Sequence, residues 1–264
     1  MLAFEHLATG FSALNLRSCA AASALAYRPV EEQQTQCLSW GFNRFKFIEN
    51  ETSGAKLFVA GNDRMILVAC CGTDSIQDWI SDLDFELVTV LGMRIHAGAY
   101  DQLHSIWDEL DHTLAAFSNR AQRVWFTGHS LGGMLAALAA LLQIKIARRR
   151  AVAGGYTFGQ PRVGDAEFAR QFDAALKPVW FRAVEQEDVV PRLPRLALAL
   201  PPTFFHQAGT EIFFDALGVT HFDLPWWRKL PSDVLGLYRE WRQGRVALLA
   251  DHAVAKYLER GNAL

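Results

Sequence analysis

Cysteine is scarce in this chain. Four thiols among 264 residues are too few for a disulfide framework, so Cys19, Cys37, Cys70 and Cys71 are expected to be free. None has the paired spacing of a zinc site, and no metal is expected; Cys70 and Cys71, adjacent in an apolar run, would face opposite sides of a sheet. A basic surplus is missing too, with 26 Lys and Arg against 28 Asp and Glu, which argues against nucleic acid as a partner. The run Arg148-Arg149-Arg150 is expected to complement the C-terminal end of a preceding helix. No window offers the long uncharged stretch of a transmembrane helix. The opening Met1-Leu2-Ala3-Phe4-Glu5-His6 lacks a positive region and carries an acid, so no secretory signal is expected. Cytoplasmic residence is the expectation, with signal-independent export left open. Repeats, linkers and low-complexity stretches are also lacking, and about half of the residues (51%) are apolar. One α/β domain over residues 1–264, large enough for a substantial core, is the expected organisation.

What is present centres on Val124-Trp125-Phe126-Thr127-Gly128-His129-Ser130-Leu131-Gly132-Gly133. A β-branched and aromatic apolar run predicts a buried strand. It ends in Gly128-His129-Ser130-Leu131-Gly132, which fits G-x-S-x-G, and residues 134–142 are rich in helix formers. The bare pattern arises by chance in roughly one chain in ten of this length. A Gly-rich turn with Ser130 as a helix N-cap would produce it as well. Strand, sharp turn and helix in succession make it a candidate nucleophile site, with Ser130 strained at the turn and glycines relieving the crowding. The helix N-terminus favours developing negative charge, and the Leu131 N–H is a candidate oxyanion donor.

Elsewhere the spacing predicts a small-residue helix over 18–27, a half-buried strand over 40–48, and strands over 56–60 and 65–70 joined by a Gly61-Asn62-Asp63 turn. Ile76, Trp79, Ile80 and Leu83 recur at i, i+3, i+4 and i+7, a short amphipathic helix. A helix over about 98–117, strands over 156–158, 179–184 and 210–214, and a helix over about 166–176 complete the alternation. That alternation argues a mostly parallel central sheet with antiparallel N-terminal strands and helices on both faces. The segments 196–205 and 222–231, the latter with Trp226-Trp227, are apolar and broken by prolines. They suit core packing or an acyl pocket and lipid-facing rim equally.

A serine nucleophile needs an imidazole base, and the base needs a carboxylate to hold its tautomer. Catalytic groups in parallel sheets sit on loops at the carboxyl ends of strands. The acid is therefore sought after 179–184, where Asp188 precedes Pro191 while Glu185, Glu187 and Asp165 compete. Of the later histidines, position favours His252 at the start of a final helix, with His221, expected in a turn, as runner-up and His206 before a strand. His129 is expected to be structural, and His96, His104 and His112 lie on or near one helix ahead of the nucleophile. Gly72-Thr73 follows the third strand, where a second oxyanion donor belongs, and Thr73 offers an N–H and a hydroxyl.

Taken together, several segments resemble the class 3 lipases, the family of the fungal triacylglycerol lipases: Gly72-Thr73-Asp74-Ser75-Ile76-Gln77-Asp78-Trp79-Ile80-Ser81-Asp82-Leu83, His96-Ala97-Gly98, Phe126 to Gly133, Tyr156 to Gly164, Asp188 to Pro194, and Asp251-His252. They run in family order over nearly the whole chain. The resemblance implies the α/β-hydrolase fold, with Ser130 as nucleophile, Asp188 as acid and His252 as base. It also implies Thr73 and Leu131 as oxyanion donors and a helical lid carrying Ile76, Trp79, Ile80 and Leu83 that opens at a lipid surface. A serine ester hydrolase acting on acylglycerols or small esters, without cofactor, is the expected function. A phospholipase, monoacylglycerol lipase or feruloyl-type esterase on the same scaffold is the alternative, with a non-catalytic interaction module as the third reading. Two features depart from the family: Cys70-Cys71 replace an aromatic-plus-arginine pair, and the interval from His252 to Tyr257 is longer than usual.

Overall fold

The computed structural model describes residues 2–73, 86–119, 122–147, 151–186, 188, 190–193, 205–215, 217–225 and 253–263. Outside them lie residues 76–83, where the sequence predicts a helix, Arg148-Arg149-Arg150, Glu187, residues 196–204, Trp226-Trp227 and His252. The N-terminal part gives helices α1 (Ala13–Leu25) and α2 (Val30–Ser39), strands β1 (Arg44–Asn50), β2 (Ala55–Gly61) and β3 (Met65–Cys70), and a hairpin of β4 (Leu87–Val90) and β5 (Met93–His96). Next come α3 (Ala97–Phe117), β6 (Arg123–His129), α4 (Leu131–Leu142), β7 (Val152–Phe158), α5 (Ala166–Leu176), β8 (Trp180–Glu185), β9 (Thr210–Phe214), β10 (Thr220–Phe222) and α6 (Val254–Ala263).

Eight strands form one sheet in the order β1-β2-β3-β6-β7-β8-β9-β10. β1, β2 and β3 pair antiparallel, β3 through β9 pair parallel, and β10 returns antiparallel along β9. Every residue of β3 and of β8 is buried, as strands covered on both faces must be; β3 is a continuous apolar run, whereas β8 buries Arg182 and Glu185 among its apolar residues. Alternation divides them. Leu57, Val59, Ile66, Val68 and Phe126 face α3, α4 and α5, while Phe58, Ala60, Leu67, Ala69, Trp125 and Tyr156 face α1 and Tyr257 of α6. Cys70 and Cys71 fall in opposite clusters as the period of two requires. All four cysteines are free and buried, and burial raises the Cys37 thiol to about 12, which keeps it unreactive.

Several elements differ from the sequence expectations. α1 starts earlier, at a Ser12 cap whose hydroxyl accepts from Asn15 N at 3.2 Å. α2 occupies a stretch with no expected element; it buries only Gln33 and Cys37, too thin an apolar stripe to stand out. The β4–β5 hairpin turns through Leu91 and Gly92, at φ 50° and 78°. Leucine in a left-handed turn position carries no composition cue. His221 lies within β10, not in a turn.

Candidate active site

β6 delivers its chain to Ser130, which has φ 57° and ψ −130° before the helix α4 begins. A non-glycine residue in that region stores about 1–3 kcal/mol of strain and persists only where its surroundings impose the conformation. Here they do. Ser130 N donates to Phe158 O on β7 at 2.9 Å, and Gly133 N donates back to Ser130 O at 2.9 Å. A Cβ on Gly128 would lie 2.2 Å from Gly132 O, and one on Gly132 would lie 2.3 Å from Cys70 O. Both contacts are with backbone that cannot swing away, so the turn closes only with glycine on either side of the serine. Ser130 is 1% exposed, and its Oγ makes no hydrogen bond among the described residues. An unpartnered buried hydroxyl is costly, and catalytic sites are where such costs persist. Leu131 opens α4, where the first backbone N–H groups lack intrahelical acceptors.

The end of β3 runs alongside this turn. A Cβ on Gly72 would sit 2.7 Å from His129 O and 3.4 Å from Ser130 Cβ, so the Gly72-Thr73 loop lies directly against the elbow. Thr73 is the next residue and is half-buried.

Asp188 follows β8 and is fully buried. One carboxylate oxygen accepts from Val190 N at 2.9 Å; the other accepts from the Tyr257 hydroxyl at 2.5 Å. That hydroxyl itself accepts from Glu185 N at 3.2 Å. Burial, then the charge of Asp188, pushes the Tyr257 phenol well above its ordinary value, so it stays a donor. The competing acids are otherwise engaged. Asp165 caps α5 by accepting from Phe168 N at 2.9 Å, and Glu185 holds Arg260 through two hydrogen bonds of 2.9 and 2.6 Å. Glu187 lies outside the described residues.

Among the histidines, the structure removes the runner-up. His221 sits on β10, four strand positions from β6, or about 19 Å at ordinary strand spacing. Its Nε2 is 2.9 Å from Asp215 Oδ2. His129 is structural as expected, with Nδ1 hydrogen-bonded to the Tyr27 hydroxyl at 2.9 Å. His96 caps α3 by accepting from Ala99 N at 3.3 Å, His104 stacks on Tyr100, His112 is exposed, and His206 is exposed beside Gly164. His252 falls immediately before the described start of the C-terminal segment at Ala253. α6 itself is fastened to the acid-bearing loop through Tyr257 and Arg260, and to α1 through Arg17 Nε donating to Gly261 O at 3.1 Å.

Among the described residues no group of three or more His, Cys, Asp or Glu could hold a metal ion. No described helix is long and apolar enough to cross a membrane.

The sequence model of a family described as "Lipase (class 3)" matches residues 67–197, from β3 through the elbow to the acid loop. The chain belongs to the class 3 lipase family. Over 159 residues it is 36% identical to a lipase of Rhizomucor miehei, covering 57% of this chain and 42% of that one. Over 187 residues it is 29% identical to phospholipase A1-II 6 of Oryza sativa subsp. japonica, covering 58% and 44% respectively. The solved structure of Rhizomucor miehei triacylglyceride lipase superposes with a TM-score of 0.62 at 28% identity, over 75% of this chain and 78% of that one. This class 3 lipase chain thus has the α/β-hydrolase fold, and it spans a little under half the length of the curated relatives it matches.

Two residues near the site had not been assigned roles from sequence. Tyr257 holds the acid from 69 positions away, and Tyr27 reaches the elbow across 102. A lone tyrosine on an amphipathic helix carries no sign of its partner.

Proposed function

We propose that this chain is a serine carboxylic-ester hydrolase acting on acylglycerols through an acyl-enzyme. The observation that carries the reading is the Ser130 hydroxyl, presented at φ 57° on a strand-to-helix turn with no hydrogen-bond partner among the described residues. In this reading His252 takes the Ser130 proton as the hydroxyl oxygen attacks the ester carbonyl carbon. Asp188 holds the imidazole's tautomer and stabilises the imidazolium. The N–H groups of Leu131 and Thr73 hold the tetrahedral oxyanion, each such donor being worth about 2.7–4 kcal/mol. Collapse of that intermediate breaks the bond to the alcohol, which leaves with the proton from His252. Water, deprotonated by the same imidazole, then attacks the acyl-enzyme and regenerates Ser130. No cofactor enters these steps.

The 76–83 segment is assigned the lid. Its apolar Ile76, Trp79, Ile80 and Leu83 can cover the site or meet acyl chains, but not both at once. Hydrolysis of a p-nitrophenyl ester by wild type and Ser130→Ala tests the chemistry: activity should vanish in the variant, and near-wild-type turnover would remove the mechanism. A rise in rate as a short triglyceride passes from monomer to emulsion is the expected lid signature; a flat profile would remove the lid while leaving the esterase. The similarity to a phospholipase A1 supports a second reading in which the substrate carries a phosphate head group. Release of fatty acid from phosphatidylcholine exceeding that from triacylglycerol, at matched acyl chains, would select it.

A further inference from the structure

The mechanism above leaves two polar side chains beside the elbow without a task. His129 is the residue before the nucleophile, and Tyr27 lies two positions past the end of α1. Helix and strand are matched there. Ser23 Oγ lies 2.8 Å from Thr127 Oγ1, and the Tyr27 hydroxyl lies 2.9 Å from His129 Nδ1. Four residues along a helical path advance about 6 Å and two along a strand about 6.6 Å, so the two bonds key α1 onto β6 at successive steps. The second step ends at the elbow.

There the tyrosine meets the other catalytic loop. Its hydroxyl oxygen stands 2.3 Å from where a Cβ on Gly72 would be, filling the room that glycine leaves, and 3.5 Å from the His129 carbonyl oxygen. The space a Gly72 side chain would need is thus taken by the tyrosine hydroxyl, His129 O and Ser130 Cβ, which lets the Gly72 backbone lie close against the elbow. Thr73 is one residue further on.

We propose that Tyr27 is a positioning residue for the oxyanion hole. Tethered by the His129 imidazole, it fixes the Gly72-Thr73 turn at the separation from Ser130 at which the Thr73 donor meets the tetrahedral oxygen. This rests on the hydrolase reading above. It also gives the histidine of the G-x-S-x-G stretch its purpose, which is to hold the tyrosine. Oxyanion donors must be aimed at the transition-state oxygen and not at the ground-state carbonyl, and misplacement by about 1 Å costs up to roughly 100-fold. A loosened turn should therefore weaken transition-state binding and leave ground-state binding alone.

Tyr27→Phe is the variant of choice because it removes only the oxygen. His129 also packs on Tyr257, with ring centroids 6.0 Å apart, so replacing it would disturb the acid side as well. Active sites are counted with a fluorophosphonate, and kcat per titrated site and KM are measured on a soluble p-nitrophenyl ester. The inhibition constant of a trifluoromethyl ketone, whose serine adduct carries the oxyanion, is measured alongside. The expected result is a fall of about tenfold in kcat per site, an equal rise in the inhibition constant, and a KM within about twofold of wild type. Values of kcat per site and inhibition constant within about twofold of wild type would overturn the proposal. So would a loss of titratable sites with full activity in those that remain, since that is support of the fold alone. A wild-type protein with no titratable serine would instead overturn the hydrolase reading, and the proposal with it.

Discussion

The nucleophile elbow and the acid loop stand at the same end of the sheet but are built by opposite means. The elbow is made of backbone. Its strain at Ser130 is held by a backbone bond to β7 and by two glycines, on which a Cβ would lie only 2.2 and 2.3 Å from backbone carbonyl oxygens. The acid loop is made of side chains. Asp188 is placed by Tyr257 and a local N–H, and the helix bearing Tyr257 is latched by Arg260 onto Glu185. The two ties of the acid-side latch stand at matching intervals, Glu185 at the end of β8 with Asp188 three residues on, and Tyr257 with Arg260 three residues on along α6. Backbone sterics tolerate no substitution, whereas a set of hydrogen bonds can lose a member and weaken by degrees.

That contrast is sharpest in Gly132→Ala. The added methyl has no room against Cys70 O, so loss of soluble folded protein, or of all activity in what folds, is expected by circular dichroism and ester hydrolysis. Gly10→Ala, whose methyl would meet nothing within 4 Å, is the control and should behave as wild type. An active, stable Gly132→Ala would show that the elbow can relax.

Next in size, Asp188→Asn should keep the fold, because an amide oxygen can still accept from Tyr257 or Val190. It should lower kcat by roughly four orders of magnitude, as loss of the orienting carboxylate does in Ser-His-Asp enzymes. A drop of less than about tenfold would point to another acid.

Tyr257→Phe should be milder. It removes a hydrogen bond to a carboxylate and leaves Glu185 N without its acceptor, a cost of about 1.5–3 kcal/mol in urea unfolding. Activity should fall but persist, since Val190 N still holds Asp188. Complete inactivity in a folded variant would place the acid side among the intolerant parts and dissolve the contrast.

The smallest effect concerns the β9–β10 turn. Burial alone would raise the Asp215 carboxyl, but the His221 hydrogen bond and the N–H groups of Val219 and Leu217 outweigh it and hold the group below its ordinary 3.8. A depressed carboxyl contributes stability that is present above the unfolded value and is lost as pH falls through the folded one. The acid-side titration of the Leu217 and Val219 backbone resonances should therefore have its midpoint below 3.8. Movement already complete at pH 5 would contradict the pairing.

The same division sets what could be seen in the sequence. The strand, elbow and helix around Ser130 were legible because the glycines, the apolar run and the helix formers all lie within twenty positions. The hairpin of β2 and β3 was legible from Gly61-Asn62-Asp63 for the same reason. Asp188 could be placed only to a loop, because what separates it from Glu185 is an arginine 75 positions further along. His221 looked eligible until β10 was seen to carry it to the sheet's edge. The turn through Leu91 and Gly92 was missed because leucine there is held by its surroundings, not by preference. Tyr27 was silent for a similar reason: its value lies in the space beside Gly72, which exists only once both strands and α1 are packed.

One measurement reaches the centre of the account directly. Intact-mass and peptide analysis after a fluorophosphonate should show a single adduct, on Ser130, formed rapidly in wild type, absent in Ser130→Ala and slowed by orders of magnitude in His252→Ala. Labelling on another residue, or at the wild-type rate without His252, would contradict it.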